Sequence, residues 1–377
     1  MPALHEVDFI IVGAGIAGAS AAAHLAQRAR VAIVEREDHP GYHTTGRSAA
    51  LFSAIYGNAV VRALSRASRP FLFEPPAGFT ATPLVRPRDT MYFARAEQLP
   101  ALERFRADAD IRAATRLLTA EEAHARVPAF RAGYLGGAAL EEGSADIDVD
   151  ALHQGFLRLA RAHGASLRCG TPAEALQRAR GRWRLETREG AIEAPVLVDA
   201  AGAWGDDLAR RAGAAPLGLR PLRRTALTIA PPAGMDPAAW PAAIDIDEQF
   251  YFKPDAGALL LSPADETPSA PCDAQPEELD VAIAVDRFEQ ATGRHVSRVA
   301  HRWAGLRTFA PDRTPVVGFD RRAEGFFWLV GQGGFGIQTC AALGRVAAAL
   351  AAGEAMPADV AAQGVEAAML APERLAS

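Results

Sequence analysis

Six residues near the start of the chain, Gly13-Ala14-Gly15-Ile16-Ala17-Gly18, constrain its fold more than any others. Before them, Val7 to Val12 is a short β-rich apolar run, long enough for one buried strand. After them, an Ala-rich stretch without Pro or Gly to about Arg28 reads as helix, and Arg30 to Val34 as a second buried strand closed by Glu35. The result is a βαβ unit with Gly-x-Gly-x-x-Gly in its turn and an acid at the tip of the second strand. Each glycine has a physical reason: Gly13 permits the tight turn, Gly15 lets backbone N–H groups approach a pyrophosphate, and Gly18 lets helix and strand pack closely. The helix start at Ile16 and Ala17 offers partial positive charge to phosphates. Glu35 stands where a carboxylate can accept hydrogen bonds from an adenosine ribose. An ordinary βα turn would not require all three glycines, so the unit reads as nucleotide-binding.

A chain of 377 residues has room for two domains and a sizeable core. The net charge of −5 gives no sign of a polyanionic partner, so nucleic acid is not expected. Basic residues are almost all Arg, and Lys253 is the sole lysine, leaving a pyridoxal-phosphate enzyme only one candidate for its Schiff base. Cys169, Cys272 and Cys340 lie far apart with no Cys-x-x-Cys, which suits reduced thiols in a cytoplasmic protein. Met1 to Val7 is too short and too acidic for a signal peptide, and no apolar run approaches a membrane span. Asp146, Asp148 and Asp150 alternate, but no Gly or distal Glu completes a calcium loop, and no metal site is expected. Asp150 reads instead as the N-cap of a helix from Ala151 to His163 that ends at Gly164.

The loop Arg36 to Ser48 carries Thr44-Thr45-Gly46-Arg47-Ser48 and lies at the C-terminal edge of the expected sheet, placed to wrap a cofactor. Ala49 to Ser68 reads as helix, with Tyr56 on it and Gly57-Asn58 as a possible break. Prolines then punctuate a loop from Arg69, Thr90 to Ala94 reads as a strand, and Glu97 to Val127 as a solvated helical pair. Leu167 to Ile192 reads as a small antiparallel meander. Ala194 to Trp204 gives a buried strand ending in Ala200, Ala201 and Gly202, small enough for a bulky ligand to approach the backbone, before the helix Asp206 to Ala212. In a strand from Leu222 to Ala230, Arg224, Ala226 and Thr228 share one face. Gln249 to Lys253 and Ala258 to Ser262 form a hairpin in which Tyr251 faces a cavity and Phe250 and Phe252 enter the core. Leu279 to Thr292 is a helix ending at Gly293. The implied architecture is α/β (α+β overall). A Rossmann-like domain comprises 1–85, 145–215 and 305–377, and a largely antiparallel domain comprises 86–144 and 216–304.

Near the C-terminus the strand Phe326 to Val330 runs into Gly331-Gln332-Gly333-Gly334-Phe335-Gly336 and the helix Ile337 to Ala351, which starts near Gln338. Two glycine-lined helix starts suit an extended cofactor with an anion at one end and an electron-poor ring at the other. Reduction of a flavin accumulates negative charge at its pyrimidine edge, where a helix N-terminus stabilises it. Flavin is therefore favoured over nicotinamide.

Gly13 to Gly18 with Glu35, Thr44 to Ser48, Val198 to Trp204, Trp303-Ala304-Gly305-Leu306-Arg307 and Gly331 to Gly336 together resemble the D-amino-acid oxidase superfamily of FAD enzymes. The similarity runs nearly end to end and is closest to the bacterial FAD-dependent D-arginine dehydrogenases. It implies noncovalent FAD and a substrate cavity between two discontinuous domains. Arg224 and Arg307 match the family's pair of carboxylate-binding arginines, Tyr56 and Tyr251 match aromatics beside the substrate, and Gly334 matches a backbone carbonyl that receives the amine. The reaction implied is oxidative deamination of a D-amino acid. Hydride passes from Cα to flavin N5, and the imine hydrolyses to a 2-oxo acid and ammonia. No general base is evident.

Arginine-selective relatives carry a glutamate where this chain has Thr90, with Asp89 turned to the opposite face by alternation, and a histidine where it has Leu51. A missing carboxylate removes the partner of a guanidinium, so the expected substrate has a neutral or apolar side chain. His43 occupies a loop in which some distant relatives attach flavin covalently. Four functions are compatible with the motifs: this dehydrogenase, a glycine/sarcosine-type secondary amine oxidase, an FAD-dependent 2-hydroxyacid dehydrogenase, and a flavin-binding module in tRNA modification or redox sensing. The motifs leave open whether quinone or oxygen accepts the electrons, and the oligomeric state.

Overall fold

The computed structural model describes residues 4–173 and 175–375. Its organising element is a six-stranded sheet in the order Ser166–Arg168, Val31–Val34, Phe9–Val12, Val196–Asp199, Phe326–Val330, Val316–Phe319. All neighbours are parallel except the last pair. Alternation divides its side chains between two cores. Phe9, Ile11, Val31 and Ile33 meet the helices Ile16–Leu25, Val149–Ala162 and Gly336–Ala351, while Ile10, Ala32, Val34 and Leu197 meet Trp183, Leu185 and Ile192. The latter come from a four-stranded sheet of Leu4–Glu6, Gly190–Ala194, Arg182–Thr187 and Leu176–Ala179. Strands covered on both faces must be apolar throughout, which is how these runs read.

A nine-stranded sheet forms the other half, built around Arg220–Ile229, Ala258–Ser262, Tyr251–Asp255, Ala242–Asp245 and Thr90–Ala94, with Val299–Phe309 paired along Arg220–Ile229. One face packs Phe93, Phe250, Phe252, Leu227 and Leu261 against Phe288 of the helix Glu278–Thr292. On the opposite face, cross-strand pairing puts Tyr92, Ile244 and Tyr251 in one row. The expected hairpin is present, with Asp255 paired to Ala258.

Several boundaries differ from expectation. The helix read over Ala49 to Ser68 and the loop after it become a short strand Leu51–Phe52, a turn, and a helix Ala59–Phe73 with Pro70 inside its last turn. The cause is tertiary: Ser53 N donates to Gln338 Oε1 and Ala54 N to Glu141 Oε1, so neither amide is left for a helix. Gly57, at φ +90, makes the turn, and Asn58 caps the helix through Oδ1 and Val61 N at 3.0 Å. The helix read from Ala151 begins at Val149, capped by Asp148 rather than Asp150. Residues 97–127 form three short helices with a strand Thr115–Leu118 between them. Ser166–Arg168 leaves the meander to pair with Val31–Val34. Among the described residues, no helix is long and apolar enough to cross a membrane.

Candidate active site

The C-terminal ends of the parallel strands open into a cavity of about 300 Å³, closed opposite by the large sheet. The position follows from topology, since ligands of open α/β sheets bind beyond the carboxyl ends of the strands. Two helix starts point into it, Ile16–Leu25 and Gly336–Ala351, and neither has a side-chain cap from its N-cap residue.

The glycine turn is built as expected, and three side chains hold it. Gly13 takes φ +104 and passes so close to Ala200 that a Cβ there would lie 2.4 Å from its carbonyl oxygen. Gly18 lies behind the turn, against Gly13, and does not line the cavity. Glu35 lines it, and its carboxylate also accepts from Ala14 N at 2.9 Å and Glu37 N at 3.1 Å. Thr45 Oγ1 accepts from Ile16 N at 3.0 Å, joining the loop 41–48 to the helix start. The third has no signal in the sequence: His153, on the helix Val149–Ala162, places Nε2 2.7 Å from Ala14 O. A carbonyl only accepts, so Nε2 carries the proton, and burial, opposed by that bond, lowers the ring's pKa.

Ile16, Ala17, Arg36, Thr44, Ser48, Ala201, Gly202 and Trp204 also line the cavity. Arg36 lies 4.9 Å from the centre of the Trp204 ring and His43 4.7 Å from it. Arg47 reaches the lining but turns its guanidinium toward Asp273 and the carbonyls of Ala274 and Ala304. Gly46 shapes its loop by donating to Gly41 O at 2.8 Å. On the C-terminal loop Gly333, Gly334, Gly336 and Ile337 line the cavity; Gly331, Phe335 and Gln338 do not. Phe335 packs with Phe309, Val61, Leu222 and Tyr56, and Gln338 bridges Ser53 N and Ser65 Oγ, so both serve packing rather than the cavity. Thr308 and Gln332, absent from the sequence expectation, also line it, and Thr308 Oγ1 and Gln332 Nε2 are buried without a partner among the described residues.

These features fit a flavin dinucleotide. Uncapped helix N-termini and a cradle that a Cβ at Gly15 would crowd, 3.1 Å from Thr45 Oγ1, suit an anion, and the two orphaned polar atoms suit the edge of a polar ring.

At the sheet end Arg224, Ala226, Tyr251 and Arg307 line the cavity together. Leu222 pairs with Arg307 and Arg224 with Gly305 on adjacent strands, which sets the two arginines on one face, two residues apart in register. Arg307 Nη1 donates to Tyr56 Oη at 3.3 Å and lies where a Cβ on Gly334 would come within 3.0 Å of it. Tyr56 stands behind Arg307 rather than on the cavity wall. No carboxylate among the described residues comes within salt-bridge distance of Arg307. Thr90 is fully buried and bonded to Ser144 Oγ at 2.9 Å, so it does not face the cavity. Lys253 is taken up in an ion pair with Asp146 at 2.6 Å, and Arg88 holds the other oxygen of that carboxylate at 2.9 Å.

Residues 8–350 match the DAO family, FAD dependent oxidoreductase. The chain is 25% identical over 386 residues to the uncharacterized oxidoreductase YurR of Bacillus subtilis (strain 168), covering 94% of this chain and 97% of that one. Its fold is similar to glycine oxidase from Geobacillus kaustophilus, at a TM-score of 0.81 and 24% identity over 93% of this chain and 95% of that one. It is also similar to L-proline dehydrogenase from P. horikoshii, at a TM-score of 0.82 and 19% identity over 99% of each chain. The chain belongs to the DAO family of FAD-dependent oxidoreductases, and FAD is its cofactor.

Proposed function

We propose that this flavoprotein is a D-amino acid dehydrogenase acting on substrates with a neutral or apolar side chain. The observation that carries the reading is Arg307: a guanidinium inside the cavity, oriented by Tyr56 and without a carboxylate of its own. Arginine pairs bidentately with carboxylates, and the pair is strong where water is excluded. Arg224 and Arg307 together would fix an α-carboxylate, and positioning of this kind lowers a barrier by up to roughly 7–11 kcal/mol. Bound FAD supplies the two-electron acceptor that takes hydride from the substrate Cα.

The amine must be neutral for Cα–H to leave as hydride. Two nearby guanidiniums disfavour an ammonium, so the amine gives up its proton to water on binding, and the Gly334 carbonyl accepts a hydrogen bond from the neutral group. The product imine hydrolyses to a 2-oxo acid and ammonia. Among the described residues the acids that line the cavity are Glu35 and Asp207, both on the cofactor side, which supports a substrate without a cationic side chain and argues against D-arginine. The D configuration and the resemblance to D-arginine dehydrogenases rest on the motifs alone.

A second reading, oxidation of a secondary amine, is favoured by the likeness to L-proline dehydrogenase, whose substrate carries one. A substrate panel with ammonia detection separates them. D-Leu, D-Met and D-Phe reacting with ammonia release supports the first reading. Reaction with sarcosine but not with D-amino acids supports the second, and D-Arg far exceeding the neutral substrates rejects the proposed side-chain class.

A further inference from the structure

Arg224 is already partly engaged. Its Nε donates to Asp265 O at 2.7 Å, and its Nη2 stands 3.4 Å from Glu266 Oε1. The same carboxylate takes both terminal nitrogens of Arg313, Nη1 to Oε2 at 3.0 Å and Nη2 to Oε1 at 2.7 Å. Arg313 in turn lies over the Phe309 ring, 3.9 Å from its centre, in the cluster that includes Tyr56. One carboxylate therefore bridges a guanidinium of the cavity wall to a second guanidinium behind it.

The bridge is held in place by the chain around it. The Asp265 carboxylate accepts from Thr225 N at 2.7 Å and Thr225 Oγ1 at 3.1 Å, which ties the loop to the strand that carries Arg224. Ala264 N donates to Ser262 Oγ at 3.1 Å at the start of the same loop. The hydrogen bonds from Arg313 hold the Glu266 carboxyl below the usual range, with burial opposing, so it is ionised at neutral pH.

We propose that Glu266 is a specificity-determining residue: an internal carboxylate that competes with the substrate for Arg224 and denies Arg313 to a second carboxylate, so that the site takes monocarboxylates and rejects dicarboxylates. The inference rests on Arg224 and Arg307 being the carboxylate site. An incoming α-carboxylate meets Arg307 free and Arg224 shared. A second carboxylate drawn toward the Arg224 guanidinium faces the like charge of Glu266 behind it, and the cation beside that charge, Arg313, is already paired bidentately. Discrimination by an unfavourable element of this kind is common where attraction alone cannot separate similar ligands.

The test titrates the yellow holoenzyme with butyrate and with succinate and reads the flavin absorbance. In the wild type butyrate binds and succinate binds far more weakly. Glu266→Gln tightens butyrate several-fold and succinate at least tenfold more than butyrate, whereas Glu266→Asp restores the wild-type ratio. Arg313→Gln leaves Glu266 to Arg224 alone and weakens butyrate. Opposite shifts from the two partners of one ion pair are not what a merely structural role produces. An unchanged butyrate-to-succinate ratio in flavin-loaded Glu266→Gln overturns the proposal, as does a shift of butyrate in the same direction in both variants. If Glu266→Gln fails to hold flavin, Arg313→Gln decides by sign: unchanged or tighter butyrate overturns it. A wild-type spectrum that responds to neither ligand removes the carboxylate site and this inference with it; a response to butyrate without the variant effects removes only this inference.

Discussion

Arg307 Nη1 donates to the hydroxyl of Tyr56 at 3.3 Å, joining the large sheet to the segment between the strand Leu51–Phe52 and the helix Ala59–Phe73. The bond fixes the plane of a guanidinium that otherwise has only the cavity to face. Hydrogen bonds to charged groups contribute about 1.5–3 kcal/mol each. Arg307→Met is therefore expected to lower kcat/KM by about 10²- to 10⁴-fold, since two such bonds to the carboxylate are lost. Flavin content stays unchanged. Tyr56→Phe removes only the orienting partner and raises KM several-fold. Steady-state kinetics beside flavin absorbance checks both.

Gly13→Ala would set a Cβ 2.4 Å from Ala200 O at a backbone φ of +104. Neither the turn nor the strand Val196–Asp199 behind it can give way without shifting the parallel sheet. The variant is expected to purify without flavin, or not to fold, and the absorbance of the purified protein reads this directly.

His153 tests the part of the cofactor site that motif reading missed. Its Nε2–H bond to Ala14 O is one neutral hydrogen bond in a buried place, worth about 0.5–1.5 kcal/mol. His153→Ala is expected to weaken FAD binding by about tenfold (about 1.4 kcal/mol), measured by equilibrium dialysis, with kcat of the flavin-saturated enzyme unchanged.

The parallel sheet, its two helix starts and the Tyr251 hairpin were legible because local pattern and tertiary role agree there: apolar runs, glycine spacing and period-2 alternation are all read within a dozen residues. Residues 49–57 were not. Their sequence suits a helix, but Glu141 and Gln338, distant in the chain, take the amides of Ala54 and Ser53. His153 was silent for the same reason, since nothing on its own helix announces that it meets Ala14. Glu266 was equally hidden, because only the fold brings it between Arg224 and Arg313. Phe335 and Gln338 belong to the glycine loop and helix start that the sequence sets against the cofactor, but the fold turns both away from the cavity.

Glu141 gives the protein a pH-dependent stability. Burial raises its carboxyl from 4.5 to about 7, against the hydrogen bonds from Ser53 and the backbone. The protonated form is the one the fold prefers. Its stabilisation is fully present below pH 4.5 and is lost as pH rises through about 7. At 1.36 kcal/mol per unit, the shift is worth about 3 kcal/mol. Glu141→Gln is expected to flatten the fall in melting temperature across that window, measured by thermal denaturation of the holoprotein at stepped pH.

The most direct measurement is anaerobic titration of the yellow protein with the two enantiomers of methionine while the flavin absorbance is followed. Stoichiometric bleaching by D-methionine, with ammonia released and no response to the L form, is the predicted result. Failure of D-methionine to bleach a flavin that dithionite reduces, or bleaching by L-methionine alone, would contradict the account.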